Sequence, residues 1–143
     1  MNDQRARIRR LTTATNRLDG LYYRFARRQS AKENMLALMY ALDDGKPHFQ
    51  QQICEEWLIP KTTINTIVLE CVAKGYILLT DTEHKREKTL KLTDAGKAYA
   101  ASLLGPLYRA EENAMSAVDP QAQEAMIEAM ERFAEHLEQE LSK

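Results

Sequence analysis

Residues 61–93 constrain the fold more than any other stretch of this chain. Ile64, Ile67, Val68, Cys71 and Val72 recur at three- and four-residue steps, which places them on one face of a helix. Lys74-Gly75 closes that helix, because glycine takes the left-handed cap conformation without a steric penalty. Tyr76–Asp81 then reads as a strand, Thr82–Lys88 as a charged loop, and Thr89–Thr93 as an alternating return strand. Upstream, Ile53, Cys54, Trp57 and Leu58 mark a short helix that starts near Phe49 or Gln50. Ile59-Pro60 supplies the turn between the two helices, since proline biases its predecessor away from helix.

Helix, tight turn, helix and charged hairpin, in that order, make a winged helix-turn-helix. The fold class expected is mainly α with a small β wing, flanked by N- and C-terminal dimerisation helices. The flanks carry their own signals. Ile8, Leu11, Leu18, Tyr22 and Phe25 form a narrow apolar stripe over about residues 3–28. Met126, Met130, Phe133, Leu137 and Leu141 form a second stripe, on a helix opened by Asp119 as N-cap and Pro120 in its first turn. Such stripes suit a helix-helix seam, and a bundle with a second copy of the chain would bury both. Met35, Leu36, Leu38, Met39 and Leu42 make a shorter helix that stops at Asp43-Asp44-Gly45-Lys46-Pro47. A further helix runs from Asp94 to about residue 116, with a kink expected at Gly105-Pro106. The expected division is a helical dimerisation region of residues 1–30 and 106–143 around a DNA-binding domain of residues 31–105.

Composition bounds the function. An apolar fraction of 44% in 143 residues is enough for a core. No apolar run approaches the roughly 18 residues of a membrane span, and the N-terminus lacks the apolar centre of a signal peptide, so a cytoplasmic protein without a membrane partner is expected. The net charge of −1 is unevenly placed. Residues 1–28 hold eight arginines against Asp3 and Asp19, and residues 108–143 hold nine acids against three bases. A basic end helix against an acidic one, within or between chains, is one reading, and a basic arm touching nucleic acid is the other. Cys54 and Cys71 sit in apolar patterns and read as packing rather than as a disulfide or oxidant-sensing pair. His48, His84 and His136 give no metal-ligand spacing, and no phosphate loop or nucleophile motif points to an enzyme or a bound cofactor.

The polar face of the second helix carries the chemistry. Lys61, Thr62, Thr63, Asn65 and Thr66 stand at its N-terminal end. They combine one cation with short hydrogen-bonding side chains that can approach base edges: asparagine binds adenine through two hydrogen bonds, and a threonine methyl packs on the thymine methyl. In the hairpin loop, Lys85, Arg86 and Lys88 are the groups that would enter an adjacent minor groove, while Glu83 and Glu87 cancel part of that charge.

From Ile53 to Gly96 the chain resembles the MarR family of bacterial transcriptional regulators. The likeness rests on Lys74-Gly75-Tyr76-Ile77, on His84-Lys85-Arg86, and on Leu90-Lys91-Leu92-Thr93-Asp94-Ala95-Gly96, a leucine-x-leucine-threonine ending that closes the wing and opens the next helix. Two positions depart from the family pattern: His84 stands where an aspartate is usual, and Thr66 where many members carry arginine. The resemblance implies a homodimer that places two recognition helices in successive major grooves of a near-palindromic double-stranded operator. It also implies a repressor released by a small, often aromatic effector. Tyr22, Tyr23, Met35, Met39 and Trp57 are the candidates for an effector crevice, although such stripes ordinarily pack the interior. The alternative is a winged-helix protein-interaction module without DNA binding.

Overall fold

The computed structural model describes residues 2–83 and 87–143. The helices are α1 (Asp3–Arg28), α2 (Glu33–Leu42), α3 (Gln50–Trp57), α4 (Lys61–Ala73), α5 (Asp94–Ser116) and α6 (Pro120–Leu141). The strands are β1 (His48–Phe49), β2 (Ile77–Asp81) and β3 (Lys88–Leu92), in one antiparallel sheet of order β1-β3-β2. The fold is therefore mainly helical with a small β wing, as the residue pattern leads one to expect. His84, Lys85 and Arg86, the tip of that wing, lie outside the described residues.

The chain divides into two compact units, Met1–Gly105 and Pro106–Lys143, and α5 continues through Pro106 across that boundary. In the first unit the core is apolar and drawn from several elements. Leu38, Met39 and Leu42 of α2, Ile53 of α3, Ile64, Val68 and Cys71 of α4, Leu90 of β3 and Leu104 of α5 are all fully buried. Each such aliphatic side chain contributes about 1.5–3 kcal/mol by leaving water. No charged or polar side chain is buried among the described residues. The turn Ile59-Pro60 works as read, with Ile59 buried and its amide donating to the Cys54 carbonyl at 3.2 Å.

The wing is fastened to the core by backbone hydrogen bonds and one threonine. β2 and β3 pair over five residues, from Ile77 opposite Leu92 to Asp81 opposite Lys88. At the far end the Thr82 amide and hydroxyl both donate to the Glu87 carbonyl, at 3.3 and 3.0 Å. At the near end the Thr93 amide donates to the Tyr76 carbonyl at 3.0 Å, and its hydroxyl donates to the Gly75 carbonyl. That hydroxyl oxygen also accepts from the Gly96 amide at 3.0 Å, which caps the start of α5. One residue thus ends the strand, ties it to the turn after α4 and opens the next helix. Gly75 holds that turn at a φ of 78°.

Strand β1 was not expected from the sequence. It is two residues long, too short to show alternation, and it exists because His48 and Phe49 pair with Leu90 and Thr89 of β3. Asp44 braces its approach by accepting from His48 Nε2 at 2.8 Å and from the Lys46 amide at 2.9 Å. Those two hydrogen bonds, that of His48 first, hold the Asp44 carboxyl below its usual range.

In the second unit, Asp119 caps α6 by accepting from the Gln121 amide at 3.0 Å. Gln123 Nε2 donates to the carbonyls of Met115 and Val118 at 3.0 and 2.8 Å, which satisfies the open end of α5. None of the residues of α6 is buried, and Met126, Ile127, Met130, Phe133, Leu137 and Leu141 are all exposed.

Burial decides the chemistry of Cys71. The apolar surroundings push its thiol up to about 11, because the thiolate is poorly solvated there. The folded state therefore keeps the proton that the unfolded chain releases near pH 9. Stability from this group is complete below pH 9 and declines as the pH rises from about 9 to about 11. Urea titrations at pH 8 and pH 10.5 should show that loss, and Cys71→Ala should shrink it. A thiol reagent at pH 8 should leave Cys71 unmodified until the protein unfolds.

Candidate nucleic-acid interface

Helix α4 turns its apolar residues Ile64, Ile67, Val68 and Cys71 into the core. The opposite side of its first two turns is left to solvent: Lys61, Thr62, Asn65 and Thr66 are exposed and Thr63 is half-buried. Pro60 is the N-cap residue of the helix and makes no side-chain cap hydrogen bond. The first backbone N–H groups of α4 are thus available to an acceptor such as a phosphate oxygen. The Thr66 hydroxyl donates to the Thr62 carbonyl at 3.1 Å, so its proton is already used within the helix and its methyl is the distinctive group left.

Lys61 and Asn65 share a concavity of about 670 Å³ with the base of the wing. Lys88, the first residue of β3, lies on its wing side. The start of α3 contributes Gln50, Gln51 and Gln52, which lie outside the residues expected from the helix-and-wing pattern. Their signal was present as a run of three glutamines at a helix start, with donors and acceptors on each side chain. Gln50 Nε2 donates to Asn65 Oδ1 across the two helices. Charge in the concavity is balanced, since Glu55 and Glu87 stand with Lys61 and Lys88 on its lining. Gln51 donates to Glu55 at 3.3 Å, and Gln52 to Glu56 at 2.8 Å. Of the wing residues expected to reach the minor groove, Lys85 and Arg86 fall outside the described residues and Lys88 is exposed.

A second groove, of about 500 Å³, lies between α1, α2 and the turn after α3. Tyr22 and Trp57 line it, together with Tyr40 and Leu58. Tyr40 and Trp57 meet at 5.6 Å between ring centroids with planes tilted by 57°. The other three residues expected in such a crevice are elsewhere. Met35 and Met39 are buried in the core, and the Met35 sulfur lies 3.5 Å from the Cys71 sulfur. Tyr23 is exposed, with the Arg27 guanidinium 5.8 Å over its ring. Leu58 differs from the apolar pattern that groups it with Ile53, Cys54 and Trp57 on one helix: it follows the last residue of α3 as its C-cap. It is 86% exposed and adopts a left-handed φ of 50°. An apolar side chain held on the surface in a costly backbone conformation suits a site where an apolar ligand would cover it. The charged residues on the lining are Asp19 and Glu33.

Among the described residues no group of three or more His, Cys, Asp or Glu side chains is placed to hold a metal ion, and no helix is long and apolar enough to cross a membrane.

No protein-family model and no curated protein matches the chain. Solved structures do. A MarR family regulator from Neisseria meningitidis, NMB1585, superposes with a TM-score of 0.83 over 99% of this chain and 98% of its own, at 24% identity. The fold is that of the MarR regulators. The MarR fold extends to PcaV from Streptomyces coelicolor, solved in complex with its natural ligand, with a TM-score of 0.65 at 18% identity over 85% of this chain and 89% of that one. Overoxidized AbfR, solved bound to DNA, gives a TM-score of 0.61 at 16% identity over 96% of this chain and 99% of its own. In the MarR fold, α4 takes the place of the second helix of the helix-turn-helix and β2–β3 that of the wing.

Proposed function

We propose that this chain is a cytoplasmic, homodimeric, sequence-specific DNA-binding regulator of transcription, a repressor that releases its operator when a small aromatic ligand binds. The observation that carries the reading is the exposed N-terminal half of α4, which presents Lys61, Thr62, Asn65 and Thr66 beside the wing on a MarR fold. A helix of this kind fits the major groove, and its side chains match base edges in type and length. The DNA-bound AbfR structure supports DNA as the partner, and the ligand-bound PcaV structure supports an effector. The exposed apolar face of α6 supports a second copy of the chain as the partner that covers it. Two bound copies would read two half-sites, so the operator is expected to be a near-palindrome.

The effector would occupy the groove lined by Tyr22, Tyr40, Trp57 and Leu58. With Asp19 and Glu33 on the lining, an uncharged or cationic aromatic fits it better than an aromatic carboxylate. Trp57 is the one tryptophan of the sequence, so its fluorescence reports this groove directly. Ligand binding lowers DNA affinity only if the ligand prefers the conformation that DNA does not.

The test is selection of bound sequences from random duplex DNA, followed by fluorescence anisotropy of the enriched duplex at rising salt. The expected result is one enriched inverted repeat whose affinity falls roughly a thousandfold or more between 50 and 200 mM salt, as counterions are released from the phosphate contacts of two copies. Failure to bind any duplex at low salt would overturn the reading in favour of a protein-interaction module. The balanced charge of the concavity around Asn65 is the observation that would then take precedence.

A further inference from the structure

The hydrogen bond between α3 and α4 reaches further than packing. Gln50 is the first residue of α3, and Asn65 lies in the second turn of α4. Both line the concavity between helix and wing, and Gln50 Nε2 donates to Asn65 Oδ1. An exposed asparagine on a helix can turn its amide either way. With the oxygen held by Gln50, the amide has one orientation, and its two N–H donors point to no hydrogen-bond acceptor among the described residues. We propose that Gln50 is a positioning residue for sequence recognition: it fixes the Asn65 amide so that the Gln50–Asn65 pair reads one base pair as a unit. The inference rests on the DNA-binding reading above and deepens it.

Three further features fit that role. The carbonyl oxygen of Asn65 has a second lone pair, so the held amide still offers an acceptor beside its donors, the combination that adenine N6 and N7 require in the major groove. Gln50 keeps its own Oε1 as a further acceptor next to Asn65. The backbone of Gln50 is itself fixed, because it follows Phe49, which pairs with Thr89 of β3. The wing strand and the Asn65 side chain are therefore joined by one strut, running from β3 through β1 to Gln50. A displacement of the wing on the DNA would be felt at the base that Asn65 reads.

The test is a double-mutant cycle read by sequence selection. Wild type, Gln50→Ala, Asn65→Ala and the double variant are each selected against random duplex DNA, and affinities for every single-base variant of the enriched site are measured. Wild type is expected to prefer an A·T pair at one position of each half-site by tenfold or more, the range of a bidentate amide contact. Gln50→Ala should lose most of that preference at the same position and leave the other positions and the salt dependence unchanged. The double variant should be no less selective there than Asn65→Ala alone. Gln50→Glu, which keeps the side-chain length but has no N–H to donate, should behave like Gln50→Ala at that position. Thermal unfolding midpoints within a few degrees of wild type would show that each variant is folded; Gln50 is only half-buried, so this is the expected outcome.

Equal weakening at all positions would make Gln50 a backbone contact and overturn the proposal, as would loss of preference at a position that Asn65→Ala does not affect. Either result leaves DNA binding itself intact. Failure of the wild-type protein to enrich any duplex would overturn both readings together.

Discussion

Replacing Gly96 with alanine should destabilise the protein by about 3 kcal/mol, at the upper end of the range for overpacked sites. A Cβ at this position would lie 2.0 Å from the carbonyl oxygen of Tyr76 and 2.9 Å from its carbonyl carbon. Neither backbone can move away without loss. The Tyr76 carbonyl accepts from the Thr93 amide at 3.0 Å, and the Tyr76 amide donates to the Cys71 carbonyl at 2.8 Å. The Tyr76 ring is stacked on Tyr99 with centroids 4.5 Å apart and planes within 7°. On the other side, the Gly96 amide is held by the Thr93 hydroxyl. Relief of the clash would break the joint that closes the wing and opens α5. The measurement is urea unfolding of the purified variant, where a midpoint unchanged from wild type would refute the argument. Heating should show the same loss as a fall of roughly 10 °C in melting temperature. Gly20 supplies the control: it sits inside α1 with no atom within 4 Å of its would-be Cβ, so Gly20→Ala should stabilise by up to about 1 kcal/mol.

The second large effect concerns α6. A double substitution, Met130→Glu with Phe133→Glu, should convert the proposed dimer into single chains of 16.4 kDa at micromolar concentration. Both residues are exposed on a helix that buries none of its own side chains. If a second copy covers this face, two carboxylates on each chain would be taken out of water without partners. The cost is at least about 4 kcal/mol, or a thousandfold in the dimer dissociation constant. The folded core of the first unit should be untouched, because neither residue belongs to it. Sedimentation velocity of the variant beside wild type gives the answer, and an identical mass for both would remove α6 from the assembly. DNA affinity should fall with the dimer, since one half-site alone makes half the contacts.

Much of this fold was legible because its signals are local. The stripe from Ile8 to Phe25 announced α1, Asp119-Pro120 announced the start of α6, and Gly75 announced the turn after α4. The residues the sequence did not reveal depend on distant partners. β1 exists through His48 and Phe49 meeting a strand some forty residues later. The Gln50–Asn65 bond joins residues 15 apart on separate helices. Met35 and Met39 have the spacing and chemistry of ligand-lining residues, yet the same spacing serves the core, and burial chose the core. Leu58 reads as part of the apolar pattern of α3, and its exposed cap position was not legible because a left-handed backbone at leucine goes against the residue's own preference. The polar side of α4 was readable for a simpler reason: Lys61, Thr62, Asn65 and Thr66 stand on a helix whose other face is apolar, and that places them at the surface.

The central claim is that two copies of this chain hold two α4 helices against one duplex. Sedimentation equilibrium of the protein with its selected duplex tests it most directly, with the DNA followed by its own absorbance. The account predicts two chains per duplex on an inverted repeat whose half-sites are centred about one helical turn, or a whole multiple of it, apart. One chain per duplex, with the same affinity for an isolated half-site as for the full repeat, would contradict it.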